Sequence, residues 1–208
     1  MYMFSRSRHV NSASVREGVT AAVEVAGMAS TIIGLDVSAW MSFASREVGL
    51  ITWSGMFDNL DELAAATQKL AESSEYGDWV DAHDSLFEGR AEDALIQLVH
   101  GAPDSERAVN FVSATTAVCV NGKLSAAMAA GVEFAELASK ITAPPTIFGA
   151  YRTGLYGGMI WMSAGETLGE LEQGEAALSA DPSWVQLLDQ HGPLFGPGVE
   201  SSLYQRLG

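Results

Sequence analysis

Shifted by 108 residues and laid over itself without a gap, the chain matches at 18 positions among residues 1 to 100, against roughly seven expected by chance from such a composition. Trp53 falls on Trp161, Gly49 on Gly157 and Ile33 on Ile141, and Leu60-x-Glu62-Leu63 falls on Leu168-x-Glu170-Leu171. Asp81-x-His83 falls on Asp189-x-His191, Leu86-Phe87 on Leu194-Phe195, and Glu92, Leu95 and Gln97 on Glu200, Leu203 and Gln205. A chain written twice folds as two copies of one unit, here residues 1–100 and 109–208. GAPDSERA (101–108) is short, polar and contains Pro103, as a linker between them should be.

Within each copy the hydrophobic period alternates between two and 3.6. Met3 to Val10 reads as a strand, Ser14 to Ile33 as a helix, Ser38 to Ser45 and Val48 to Ser54 as a strand pair, Leu60 to Ala71 as a helix and Ala94 to Val99 as a closing strand. The second copy gives Phe111 to Val120, Leu124 to Ile141, Thr146 to Arg152, Gly157 to Ser163, Leu168 to Ala180 and Ser202 to Leu207. Hairpin turns are expected at Arg46-Glu47 and Gly154-Leu155, an extended entry at Pro144-Pro145, and helix caps at Asp58 and Asn59 and at Gly165 and Thr167. The order β-α-β-β-α-β is a ferredoxin-like unit, an antiparallel sheet with both helices on one face. Apolar residues on both strand parities, as in Trp40-Met41-Ser42-Phe43, show that the other face is covered too. Two copies in one chain cover each other most simply sheet to sheet, so the expected fold is α+β, a pseudo-twofold barrel able to hold a small molecule.

Composition narrows the class of partner. With 48% hydrophobic and 18% charged residues over 208 positions, the chain is neither a disordered tail nor a fibre. Its charge, 11 − 26 = −15, repels phosphate backbones and anionic lipid surfaces, so neither nucleic acid nor membrane is an expected partner. The lone Cys119 cannot close an intramolecular disulfide, and the first ten residues lack the apolar core of a secretory signal, which together point to the cytoplasm. The stretch Gly18 to Leu35 carries Glu24 and many small residues, and reads as a buried helix rather than a membrane span. Because the first helix of each copy is small and apolar around most of its circumference, a homodimer joined through these helices is expected.

Five groups of residues are candidates for chemistry. His83 and His191 recur in the same setting and suit proton transfer as a catalytic pair of positions; the alternative is a packing role shared by both copies. Arg6 and Arg8 lie on one face of the first strand and suit a carboxylate, phenolate or other oxyanion, or else decorate a solvated edge. Trp40, Phe43 and Tyr151, with Trp53, Phe57, Phe148, Tyr156 and Trp161, form an aromatic set on the hairpins that suits a planar ligand or simply fills the core. Arg6 and Arg8 face Ala114 and Thr116 in the gapless alignment, an asymmetry that places any site in one half only. Cys119, aligned with Asn11, is expected in the core, and the carboxylates at Glu72, Glu75, Asp78, Asp81, Asp84 and Glu88 form a solvated stripe rather than a metal site.

The element order, the Trp53 and Trp161 strands, and the segment DWVDAHDSLF (78–87) together resemble the dimeric α+β barrel superfamily, fused in tandem. That superfamily includes antibiotic-biosynthesis monooxygenases, NIPSNAP-like proteins and heme-degrading monooxygenases. The resemblance implies a small-molecule-binding barrel acting as a cofactor-independent monooxygenase or isomerase on an aromatic or polyketide-like substrate. In the heme-degrading relatives a histidine near the end of the second helix ligates iron, and Trp79-x-x-x-His83 resembles their pattern, so heme binding is a second implied reading. A non-catalytic duplicated scaffold acting through oligomerisation is a third.

Overall fold

The structure is a computed structural model that describes residues 1–104, 107–143, 145–154 and 156–208. Leu155 of the second expected turn, Pro144 of the expected extended entry, and Ser105 and Glu106 of the expected linker lie outside the described residues. The elements run β1 (Tyr2–Val10), α1 (Val15–Ile33), β2 (Val37–Ala44), β3 (Leu50–Phe57), α2 (Leu60–Glu72), α3 (Ser74–His83), β4 (Phe87–His100), β5 (Phe111–Val118), α4 (Leu124–Ile141), β6 (Thr146–Tyr151), β7 (Gly158–Gly165), α5 (Leu168–Ala180), α6 (Pro182–His191) and β8 (Glu200–Leu207). Hydrogen bonding orders the strands β1-β3-β2-β8-β5-β7-β6-β4 as a closed barrel. The fold is therefore α+β, with each half following the β-α-β-β-α-β order. Among the described residues, no helix is long and apolar enough to cross a membrane.

By internal contact the chain separates into Met1–Leu95 with Gln205–Gly208, and Ile96–Tyr204. In the first unit β3 is central: Arg6 pairs with Trp53 and Arg8 with Ile51 on one side, and Ala39 pairs with Trp53 on the other. Directly opposed residues share a face, so Arg6, Arg8, Trp53 and Ala39 all point to the side where α1 packs. There Trp53 donates its indole N–H to the Ala22 carbonyl at 2.9 Å, and Ala21, Ala22, Ile51, Val10 and Phe87 form a core. A second cluster, Ile33, Phe57 and Ala66, seats α2 against the far end of β1 and β3. In the second unit Trp161 donates to the Gly131 carbonyl at 3.0 Å, over a core of Cys119, Ala127, Ala135, Phe148 and Met159. Residues Ile96 to His100 of β4 pair with β6 in this unit.

Three features depart from the sequence reading. A further helix follows the second in each half: α3 is capped by Ser73, which accepts from the Tyr76 N–H, and α6 by Asp181 with Pro182 at its first turn. Asp-Pro at a helix start satisfies an orphan donor and presets φ, and Trp184, Leu187 and Leu188 then follow at helical spacing. The first hairpin connects over residues 45–49 rather than a two-residue turn. Finally, the offset of 108 holds only from β3 onward. Met41 pairs with Ile51 in one hairpin and Ala150 with Met159 in the other, so the first has one residue more between equivalent positions.

Everything before that insertion matches at 109. Val10 N–H bonds the Gly49 carbonyl as Cys119 N–H bonds that of Gly157, with both glycines at φ near +80°, a region costly to other residues. Ser30 Oγ accepts from Val37 N–H as Ser139 Oγ accepts from Thr146 N–H. At this offset α1 and α4 share Ala21, Val23, Glu24, Ala26, Ala29, Ser30 and Ile32 with Ala130, Val132, Glu133, Ala135, Ala138, Ser139 and Ile141. The counterparts of Arg6 and Arg8 are thus Thr115 and Ala117, not Ala114 and Thr116, and that of Cys119 is Val10, not Asn11.

Candidate functional site

Strand alternation aims Phe4, Arg6 and Arg8 at the helix side of the first unit, where they border a cavity of about 230 Å³. Its walls come from β1, α1, β3, α2, α3 and the start of β4. Most of the lining is apolar, including Val25, Ile33, Trp53, Phe57, Leu63, Leu70, Trp79 and Phe87; the polar groups are few, chiefly Arg6, Arg8, Tyr76, His83 and Asp84. An apolar hollow with a handful of convergent polar groups is the usual construction of a small-molecule site.

Arg8 is held at this cavity by four contacts. Its guanidinium bonds Asp84 Oδ1 at 2.7 Å and the carbonyls of Phe87 and Gly89 at 3.2 Å, and stands 5.4 Å from the centre of the Phe87 ring. Its side chain is 15% exposed, and its Nε is buried without a hydrogen-bond partner among the described residues. A buried N–H left unpaired costs about 1–3 kcal/mol. Arg6 is more open and forms a two-pronged pair with Asp93, Nε to Oδ1 at 2.7 Å and Nη2 to Oδ2 at 2.8 Å. That bond is the main reason its pKa is raised above the ordinary arginine value.

His83 ends α3. Its ring stacks on Trp79, 4.2 Å between centroids and 14° from parallel, and Nδ1 donates to the Trp79 carbonyl at 2.8 Å. Because a carbonyl only accepts, the neutral ring carries its proton on Nδ1 and leaves Nε2 as the basic nitrogen. The first unit therefore gathers Arg6, Arg8, His83, Trp53 and Phe57 of the sequence candidates around one cavity, with Tyr76, Trp79 and Phe87.

The remaining candidates lie elsewhere. Trp40 donates its indole N–H to Ser54 Oγ at 3.0 Å, with the Arg206 guanidinium 5.9 Å from its ring, and alternation puts it on the sheet face away from Trp53. Phe43, near the end of β2, does not line the cavity. In the second unit Tyr151 ends β6 opposite Ile96; burial first, and then the neighbouring Tyr204, push its hydroxyl pKa up to about 12. His191 Nε2 lies 3.1 Å from Glu133 Oε2 and its ring meets Phe134 edge to face at 6.0 Å. Cys119 is 7% exposed within the core. Among the described residues, no group of three or more His, Cys, Asp and Glu is placed to hold a metal ion.

Heme does not fit this cavity: at about 230 Å³ it is too small to enclose a macrocycle larger than the drug-sized ligands that fill ~300–1,000 Å³. Tyr76, Trp79 and Phe87 were not among the sequence candidates for the wall, since aromatic spacing reads the same for core and cavity.

No family model matches the chain, and no curated protein does. Solved structures do. A protein named "putative monooxygenase" from Fusobacterium nucleatum aligns over 100% of this chain and 92% of its own, with TM-score 0.73 at 10% identity. Another "putative monooxygenase", from Lactobacillus acidophilus, covers 100% and 94% with TM-score 0.65 at 9% identity. An "anthrone oxidase-like protein" covers 100% and 91% with TM-score 0.63 at 10% identity. Their likeness extends over the whole chain and establishes the shared α+β barrel fold.

Proposed function

We propose that the cavity of the first unit binds a small aromatic or polyketide-like acid and that the protein acts on it as a cofactor-independent monooxygenase or isomerase. One observation carries this reading: the Arg8 guanidinium side chain and a histidine of fixed tautomer border the same apolar hollow. The names of the structural neighbours lend it support.

The chemistry follows from the two groups. Nε2 of His83 takes a proton from a phenol, or from a carbon beside a carbonyl, and Arg8 stabilises the phenolate or enolate that forms. Returning that proton to another carbon is isomerisation. Alternatively the electron-rich anion is oxidised by molecular oxygen. For a methylene between aryl rings the balance is CH2 + O2 → C=O + H2O, in which the substrate supplies every electron and no outside reductant enters. Tyr76 and Arg6 sit at the polar rim, and the Ile33, Phe57 and Leu63 end receives the apolar body.

Oxygen uptake with anthrone is the direct test. Uptake well above the uncatalysed rate, lost in both Arg8→Ala and His83→Ala, is the expected result. Uptake at background, together with unchanged tryptophan fluorescence when anthrone or 4-nitrophenolate is added at millimolar concentration, would falsify the reading. A second reading rests on the ion pairs themselves: Asp93 and Asp84 already neutralise Arg6 and Arg8, as they would in a non-catalytic scaffold. Self-association through α1 and α4 belongs to both readings.

A further inference from the structure

At the offset of 109 the counterpart of Val25 is Phe134, on the same turn of the first helix, three residues beyond the carbonyl that receives the tryptophan N–H. Phe134 is 6% exposed. Its ring meets Trp161 at 6.0 Å, Trp184 at 5.6 Å, His191 at 6.0 Å and Phe195 at 6.1 Å, three of them edge to face. The counterparts of those four residues are Trp53, Tyr76, His83 and Phe87. All four line the cavity of the first unit, and so does Val25.

The two halves thus build the same chamber, and one of them fills it with its own side chain. Where Phe134 supplies a ring, Val25 stops short by most of one and leaves space bounded by the same four partners. Beside that space the first unit carries Arg8 where the second carries the buried Ala117. The cation and the missing ring occur together, in one half.

From this we infer that Val25 is the residue that determines ligand specificity: the first unit binds a single aromatic ring in the position Phe134 occupies in the second, with an acidic substituent turned to Arg8, and the second unit is a self-filled copy. The inference rests on the reading of the cavity as a binding site and adds the ligand's pose, its ring-sized fit and a stoichiometry of one per chain. Aromatic contacts of this kind, three of them edge to face, contribute about 0.5–1.5 kcal/mol each beyond burial, so an aryl acid is preferred over an alkyl acid of equal volume.

Calorimetry with 4-nitrophenolate and with neutral indole tests it. The wild type takes up one equivalent of 4-nitrophenolate; Val25→Phe weakens this by about 30-fold or more while melting at the same or higher temperature, and Val25→Leu weakens it by less. Phe134→Val gains one equivalent of indole over the wild type, because it opens an apolar ring-sized space of the kind that binds small aromatics. Binding by Val25→Phe within threefold of the wild type, or no gained equivalent in Phe134→Val, overturns the inference while the cavity stays a binding site. No uptake of 4-nitrophenolate by the wild type defeats the reading of the cavity, and this inference with it.

Discussion

Trp53 reaches from β3 to the carbonyl of Ala22 and fastens the first helix to the sheet with a 2.9 Å hydrogen bond. The acceptor belongs to a residue fully shielded from solvent, so removing the donor strands part of its hydrogen-bonding capacity. Trp53→Phe should cost roughly 1–3 kcal/mol from the lost bond and the lost ring volume together. Denaturant unfolding reads this directly, and Trp161→Phe, which loses the equivalent bond to Gly131, should cost a similar amount.

Helix α4 can approach β6 only because Gly131 has no side chain: a Cβ there would fall on the Phe148 ring. The first unit solves the same contact with Ala22 against Ala39, the counterparts of these two. Gly131→Ala should therefore destabilise by about 1–3 kcal/mol through overpacking, and Phe148→Leu in the same chain should recover part of it. A melting temperature unchanged by Gly131→Ala would show that the ring has room to move.

Arg8 and His83 should separate into binding and chemistry. Arg8→Lys keeps the charge but loses the planar fork that spans Asp84 and the Phe87 and Gly89 carbonyls. Binding of 4-nitrophenolate should fall about tenfold or more in Arg8→Lys and further in Arg8→Ala. His83→Gln should leave binding within a few fold while kcat falls by about 10²–10⁴. Equal loss of binding in both would assign His83 to the wall.

Tyr151 titrates late. Burial pushes its hydroxyl pKa up to about 12 from the ordinary 10.0, so the unfolded chain releases this proton first. The stabilisation is complete below the unfolded pKa and is lost as pH climbs between the two values, on the order of 3 kcal/mol in all. Absorbance at 295 nm should show one tyrosine ionising near pH 12, absent in Tyr151→Phe, whose stability should fall less steeply over the same interval.

Self-association makes its own prediction. Sedimentation at micromolar concentration should show a species near twice the 22.0 kDa chain, shifted toward monomer when bulky charge is placed on the solvent side of α1, as in Gly27→Glu, where a side chain meets nothing within 4 Å. A 22.0 kDa species alone would remove the helix-mediated dimer.

The element order was legible because strand and helix periods differ and because the repeat supplied each assignment twice. Helices α3 and α6 were not, since each follows the preceding helix after a single residue and is only ten residues long; their caps at Ser73 and Asp181, and the spacing of Trp184, Leu187 and Leu188, were the available signal. One extra residue in the first hairpin hid the true alignment of α1 with α4. A gapless offset scores the whole chain at once, and the conserved second portion outweighed seven matches in the helix. The cavity was beyond reach for another reason: Val25 and Phe134 are both simply apolar to any pattern, and only packing tells a filled space from an open one.

Joining the copies in one chain has a cost-free consequence for change. Were the halves separate and identical subunits, any substitution that opened a chamber would open both, and the stability lost with each buried ring would be lost twice. Here one half keeps Phe134 as ballast while the other gives its ring up, so the molecule explores new ligands at the expense of half its packing.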